Sequence, residues 1–140
     1  MILFCDTSAL IKLYIAETGS KDLRRHLAQA EAVVVCRIAW AEAHAALSRR
    51  AREVPVDLPV IDQAKAALAK DWPRYLVMEV NQALVVRAGE YADLFALRAY
   101  DSIQLAAAYE AGHVSGAPVL FACFDARLNK AARLLEMQCL

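Results

Sequence analysis

The chain opens Met1-Ile2-Leu3-Phe4-Cys5-Asp6-Thr7-Ser8-Ala9-Leu10-Ile11-Lys12-Leu13-Tyr14. Five apolar residues in a row (1–5) read as a short strand buried on both faces, the kind found inside a parallel sheet. At Asp6 the period changes. Asp6, Thr7 and Ser8 supply N-cap chemistry, and Leu10, Ile11, Leu13 and Tyr14 recur at helical spacing. A strand that turns at once into a helix is half of a β-α unit, and the rest of the chain repeats the alternation. Gly19-Ser20 breaks the first helix, and a short amphipathic helix with Leu23 and Leu27 reaches about Ala30. Residues 32–36 (AVVVC) are a second buried strand, followed by an Ala-rich helix from about Ile38 to Arg52. Pro55 and Pro59 bracket a loop, and Val60 to Asp71 is helical again. Residues 75–80 (YLVMEV) read as a third strand and Asn81 to Leu97 as a helix. Tyr100 to Ala111 reads as a helix closed by Gly112. Residues 118–123 (PVLFAC) are a fourth strand, Asp125 to Leu135 the last helix, and Met137 to Leu140 a short edge strand. Strands alternating with helices predict an α/β fold, a mainly parallel sheet of four or five strands with helices on both faces. Chemistry in such sheets gathers beyond the carboxyl ends of the strands.

With 140 residues, 59% hydrophobic and 23% charged, the chain reads as one ordinary domain spanning 1–140, with a real core and no extended disorder. Four Gly and four Pro exclude collagen-like or low-complexity character. Sixteen Lys+Arg cancel sixteen Asp+Glu, so a grip on nucleic acid by bulk charge is disfavoured. Local patches or a bound metal would have to do that work. The first residues lack a basic stretch before their apolar run, and no long uncharged apolar segment follows. The expectation is a cytoplasmic protein with no membrane span. Cys5, Cys36, Cys123 and Cys139 form no CxxC pair and read as buried, reduced thiols. His26, His44 and His113 lack ligand spacing, and no GxGxxG or GxxxxGK is present. Trp40 and Trp72 read as core or interface residues.

The acidic residues carry the chemistry. Asp6 and Asp125 each follow a strand and precede a helix, so each is a helix cap or a group aimed into the crevice. Glu42 shares its helix face with Ile38, Ala45 and Ala46. It points to solvent along a thin polar stripe, or into a site with a compensating cation, because burying it unpaired is expensive. Asp101 opens a run with Leu105 and Ala108 on its face, and capping competes with function there too. Asp93 is a weaker fifth candidate. Four acids meeting at one sheet edge would repel one another, and a divalent cation would resolve the repulsion. All-oxygen ligands favour Mg²⁺ or Mn²⁺, and phosphoryl chemistry is the natural use of such a site.

These residues resemble the motifs of PIN-domain proteins, specifically the VapC-type toxins of toxin–antitoxin pairs. Asp6-Thr7-Ser8-Ala9-Leu10-Ile11-Lys12-Leu13-Tyr14 looks like the opening motif. Ala41-Glu42-Ala43-His44-Ala45-Ala46-Leu47-Ser48-Arg49-Arg50 resembles the second, Leu97-Arg98-Ala99-Tyr100-Asp101-Ser102-Ile103-Gln104-Leu105-Ala106 the third, and Phe124-Asp125-Ala126-Arg127-Leu128 the fourth. They occur in family order across essentially the whole chain. The resemblance implies a three-layer α/β/α PIN-like fold and an Mg²⁺- or Mn²⁺-dependent endoribonuclease. Asp6, Glu42, Asp101 and Asp125 would form the catalytic, metal-holding pocket, with Ser8 beside it. It also implies an RNA substrate, a homodimer and a cognate antitoxin. A metal-activated water would attack a backbone phosphate in line. Lys12, Arg49 and Arg50 are candidates for a basic RNA-binding rim, with Arg52, Arg24 and Arg25 behind them. Two small departures stand out: Leu134-Leu135-Glu136 replaces a glycine turn common in relatives, and Ser102 stands where Ala is common.

Other readings compete. An inactive PIN-like module binding RNA or protein would be free to lose its acids, and all four are present. A phosphohydrolase of doubly wound type would carry a second Asp two residues after the first, where Ser8 stands. A receiver-like signalling domain would need a phospho-accepting Asp after the third strand, where the chain has Asn81-Gln82.

Overall fold

The computed structural model describes residues 1–140. The elements run β1 (Ile2–Cys5), α1 (Thr7–Tyr14), α2 (Ser20–Gln29), β2 (Ala32–Cys36), α3 (Ala39–Glu53), α4 (Leu58–Asp71), β3 (Leu76–Met78), α5 (Gln82–Phe95), α6 (Ala99–Ser115), β4 (Val119–Ala122), α7 (Ala126–Leu134) and β5 (Gln138–Cys139). The five strands form one sheet in the order β3-β2-β1-β4-β5, and every neighbouring pair is parallel.

β1 is the spine. All four of its residues are buried, and it pairs with β2 on one side and β4 on the other. Its side chains alternate between two cores, as a strand's period of two requires. Ile2 and Phe4 join Leu84, Leu105, Phe121 and Leu128 beneath α5, α6 and α7. Leu3 and Cys5 join Leu10, Leu23, Leu47, Ile61 and Leu68 beneath α1 to α4. The Phe4 and Phe121 rings stack 5.9 Å apart across β1 and β4. The result is three layers, helix on sheet on helix.

The strand order reverses between β1 and β4. Crossovers leave β1 toward β2 and β3 on one side, while β4 and β5 lie on the other. The connections therefore diverge at the carboxyl ends of these two strands, which opens a crevice there.

Several boundaries differ from those the pattern predicts. β3 is only Leu76–Met78. Pro59 lies in the first turn of α4, where a missing N–H costs nothing, and only Pro55 opens an irregular turn. α6 does not stop before Gly112 but runs on to Ser115, with Gly116 at φ 66° as its C-cap. Gly112 serves close approach instead: a Cβ there would meet Val119 Cγ2 at 2.8 Å. The turn after α7 does exist, and Glu136 adopts φ 62° where a glycine is more usual. Of the four free thiols, Cys5, Cys36 and Cys123 are buried and Cys139 is half-buried. The two tryptophans pack edge to face at 5.2 Å.

Gly112→Ala tests the close approach. Overpacking against a stiff β-branched neighbour outweighs the helix propensity that alanine adds, and the variant is expected to lose about 1–3 kcal/mol in urea unfolding. Combined with Val119→Ala, the loss should be smaller than the sum of the two single losses. Strict additivity would show that the contact does not set the packing of α6 on β4.

Candidate active site

Asp6 leaves the end of β1 with extended backbone and caps α1. Its Oδ1 accepts the Ala9 N–H at 2.9 Å and the Ser8 hydroxyl at 2.6 Å. Ser8 Oγ in turn accepts the Phe124 N–H at 3.0 Å, so it ties Asp6 to the turn between β4 and α7. The carboxyl is only 5% exposed. Burial pushes its pKa above the usual carboxylate range and the Asp101 charge adds to this, while bonds from Ser8 and Ala9 pull it back.

Asp101 lies in the first turn of α6, three residues after the N-cap position, which Arg98 fills. It is therefore not the cap. Its side chain is 31% exposed and sits 3.5 Å from the Arg98 guanidinium, itself almost fully solvated. Such a pair contributes little to stability.

Glu42 occupies the first turn of α3. Its carboxylate is held by neutral donors from two other helices. Its Oε1 accepts the Thr7 hydroxyl at 2.8 Å and the Gln104 amide at 2.8 Å. Asp125 caps α7, its Oδ1 accepting the Leu128 N–H at 2.9 Å.

All four acids thus stand at or within the first turn of a helix. Four helix amino ends meet around the crevice, and each carries partial positive charge that favours a carboxylate. Asp6, Glu42 and Asp125 each show one oxygen engaged by protein donors. Asp6 and Asp101 are near enough for the charge of one to act on the other. No three acidic, histidine or cysteine side chains close into a metal cage. The donor set is nonetheless chemically suited to a hard divalent cation: its charged groups are all carboxylates, and one of them, Asp6, is destabilised in its charged form by burial and by the Asp101 charge. Mg²⁺ commonly takes one or two carboxylates and keeps several waters.

The other candidates divide. Asp93 is exposed on α5 and bonds to none of the four. Lys12 is turned inward, donating to Glu17 at 3.0 Å and to the Thr18 carbonyl at 2.9 Å, with its ammonium over the Phe124 ring. Arg24 donates to the Leu13 carbonyl, and Arg25 pairs with Asp22 on its own helix. Arg49 pairs with Glu53 at 2.9 Å and Arg50 with Glu17 at 2.8 Å. Arg49 and Arg50, with Glu42, Glu53 and Tyr100, line an open cavity of about 560 Å³ beside the acids. Tyr100, Thr7, Gln104 and Cys123 are site neighbours that the acid motifs alone do not single out. Gln104 carried a signal, a lone amide inside the apolar run Ile103-Gln104-Leu105-Ala106-Ala107.

Residues 3–134 match the family model described as PIN domain. Ribonuclease VapC45 of Mycobacterium tuberculosis (strain CDC 1551 / Oshkosh) is 28% identical over 131 residues, covering 94% of this chain and 89% of that protein. The structure of Mycobacterium tuberculosis VapC20, described as a sarcin-ricin loop cleaving toxin, superposes with a TM-score of 0.66 at 19% identity, covering 92% and 94% of the two chains. A toxin-antitoxin complex from Klebsiella pneumoniae superposes with a TM-score of 0.59 at 16% identity, covering 86% and 84%. The chain belongs to the PIN domain family.

The burial of Asp6 sets a pH-dependent expectation. Its folded pKa lies above its unfolded value of about 3.9. Ionised Asp6 therefore opposes folding, and the penalty accumulates as pH rises from that value through the folded pKa. Asn keeps the cap and sheds the charge. In chelator at pH 7, Asp6→Asn should raise Tm by a few degrees, with the gain fading below about pH 4. A gain that persists unchanged at low pH would place its origin elsewhere.

Proposed function

We propose that this PIN-domain chain is a Mg²⁺- or Mn²⁺-dependent endoribonuclease, working in the cytoplasm as the toxin of a toxin–antitoxin pair, with residues 1–140 acting as a single domain. The observation that carries the reading is geometric: Thr7 and Gln104 both donate to Glu42, and the Phe124 N–H donates to Ser8, so the starts of α1, α3, α6 and α7, which carry the four acids, are tied together where the strand order reverses. The likeness to VapC45 and VapC20 supports ribonuclease action, and the Klebsiella complex supports an antitoxin partner. No helix is long and apolar enough to cross a membrane.

In this reading Asp6 and Asp101 are the principal metal ligands, and Glu42 and Asp125 complete the pocket. These four residues would hold the cation, which when bound would supply a water of lowered pKa and charge neutralisation at the scissile phosphate. Ser8 fixes the Asp6 carboxylate by donating to one oxygen, which leaves the other available. Arg49 and Arg50 exchange their glutamate partners for RNA phosphates, and the exposed Tyr100 ring offers a face to an unpaired base. Lys12, already committed to Glu17 and Thr18, serves the fold. The exposed run Val54, Val56, Leu58 and Val60 gives a protein partner, an antitoxin or a second copy, apolar surface to cover.

Antitoxin-free protein should cut total RNA at discrete positions with Mg²⁺ or Mn²⁺, and chelator should stop it. Asp101→Asn should lose about 100-fold or more in rate while keeping or raising its Tm. Retention of RNA without cutting under any metal would favour a binding module, and native-rate cutting by the variant would remove Asp101 from the site.

A further inference from the structure

Gln104 sits on α6 one turn beyond Asp101 and is 2% exposed. Its Nε2 donates to Glu42 Oε1 at 2.8 Å and to Thr7 Oγ1 at 3.1 Å. Thr7 Oγ1 donates to the same Glu42 oxygen at 2.8 Å. Three side chains from the starts of α1, α3 and α6 thus close a triangle around one carboxylate oxygen. The orientation of the amide is set by chemistry: turned over, it would aim its carbonyl at a carboxylate.

The triangle is not an economical way to fill a core. Gln104 Oε1 is buried with no hydrogen-bond partner, which costs stability. Leucine or methionine would fill similar volume without that cost. A lysine or arginine would bond Glu42 more strongly but would bring a positive charge into the place proposed for the metal. What Gln104 supplies, and those residues do not, is a neutral donor held in a fixed direction. With Thr7 it locks Oε1 of Glu42 and leaves Oε2 without a protein donor.

We propose that Gln104 is a positioning residue for RNA cleavage: with Thr7 it locks the Glu42 carboxylate in the orientation the metal-dependent step uses. The inference rests on the ribonuclease reading for its kinetic arm and on metal binding alone for its second arm. Residues that orient ligands in this way commonly cost about 10–100-fold in metal affinity or activity when removed.

The test is a cycle through Glu42. Gln104→Leu and Thr7→Val should each lower kcat about 10-fold or more with KM for RNA unchanged, and Thr7→Ser should restore most of the rate. In a Glu42→Gln background, Gln104→Leu should cause no further loss, because the oriented group is already gone. Calorimetric titration of RNA-free protein with Mn²⁺ should show weaker binding in Gln104→Leu, with its thermal unfolding unchanged or raised. Wild-type kcat and Mn²⁺ affinity in Gln104→Leu would overturn the proposal. An equal loss with and without Glu42 would overturn it too, by showing that Gln104 acts through packing. If the wild type cuts no RNA, the ribonuclease reading fails, and the Mn²⁺ titration still decides whether Gln104 positions Glu42.

Discussion

Four carboxylates lie at one edge of this sheet, and the fold has to hold Asp6 buried there against the charge of Asp101. It does so by placing each at the amino end of a helix. Asp6 and Asp125 are N-caps, and Glu42 and Asp101 lie in first turns. Each helix amino end contributes about 0.3–1 kcal/mol of favourable interaction with a nearby anion, more when partly buried. The compensation is incomplete at Asp6, where burial and the Asp101 charge still raise the pKa. Residual strain of that kind is what a cation would relieve, and it is concentrated on the pair proposed to hold one.

The geometry follows from topology before any side chain is considered. β1 is the central strand, and chain connections leave it in opposite directions from those of β4. The gap so created lies over the ends of β1 and β4, where Asp6 and Asp125 emerge. Ser8 bridges the gap by accepting from Phe124 and donating to Asp6. α6 brings Asp101 and Gln104 to the same edge, where Gln104 reaches both α1 and α3. Damage to the packing of β1 or α6 would therefore reach the site without touching an acid.

Much of this is legible in the residues. The run 1–5 announces a central strand because a strand buried on both faces cannot alternate. Asp6 and Asp125 announce themselves by following strands. What the pattern hides is three-dimensional. Gly112 looks like a helix stop, and only the approach of Val119 shows that the helix continues past it. Lys12 lies on the first motif and looks available to RNA, yet Glu17 and Thr18, past the bend after α1, claim it. At Glu42 the pattern does not reveal the neutral donors, 35 and 62 positions away, that hold one of its oxygens. Capping and function also looked like alternatives at Asp6 and Asp125. A carboxylate has two oxygens, and at Asp125 the cap bond to Leu128 uses one.

The central claim is that Asp6 and Asp101 jointly hold a divalent cation in the crevice between β1 and β4. Anomalous diffraction from crystals soaked in Mn²⁺ tests it most directly. A peak between the two carboxylates, lost in crystals of Asp101→Asn, is the predicted result. A crevice without Mn²⁺ at saturating concentration, or a peak that persists unchanged in the variant, would contradict it.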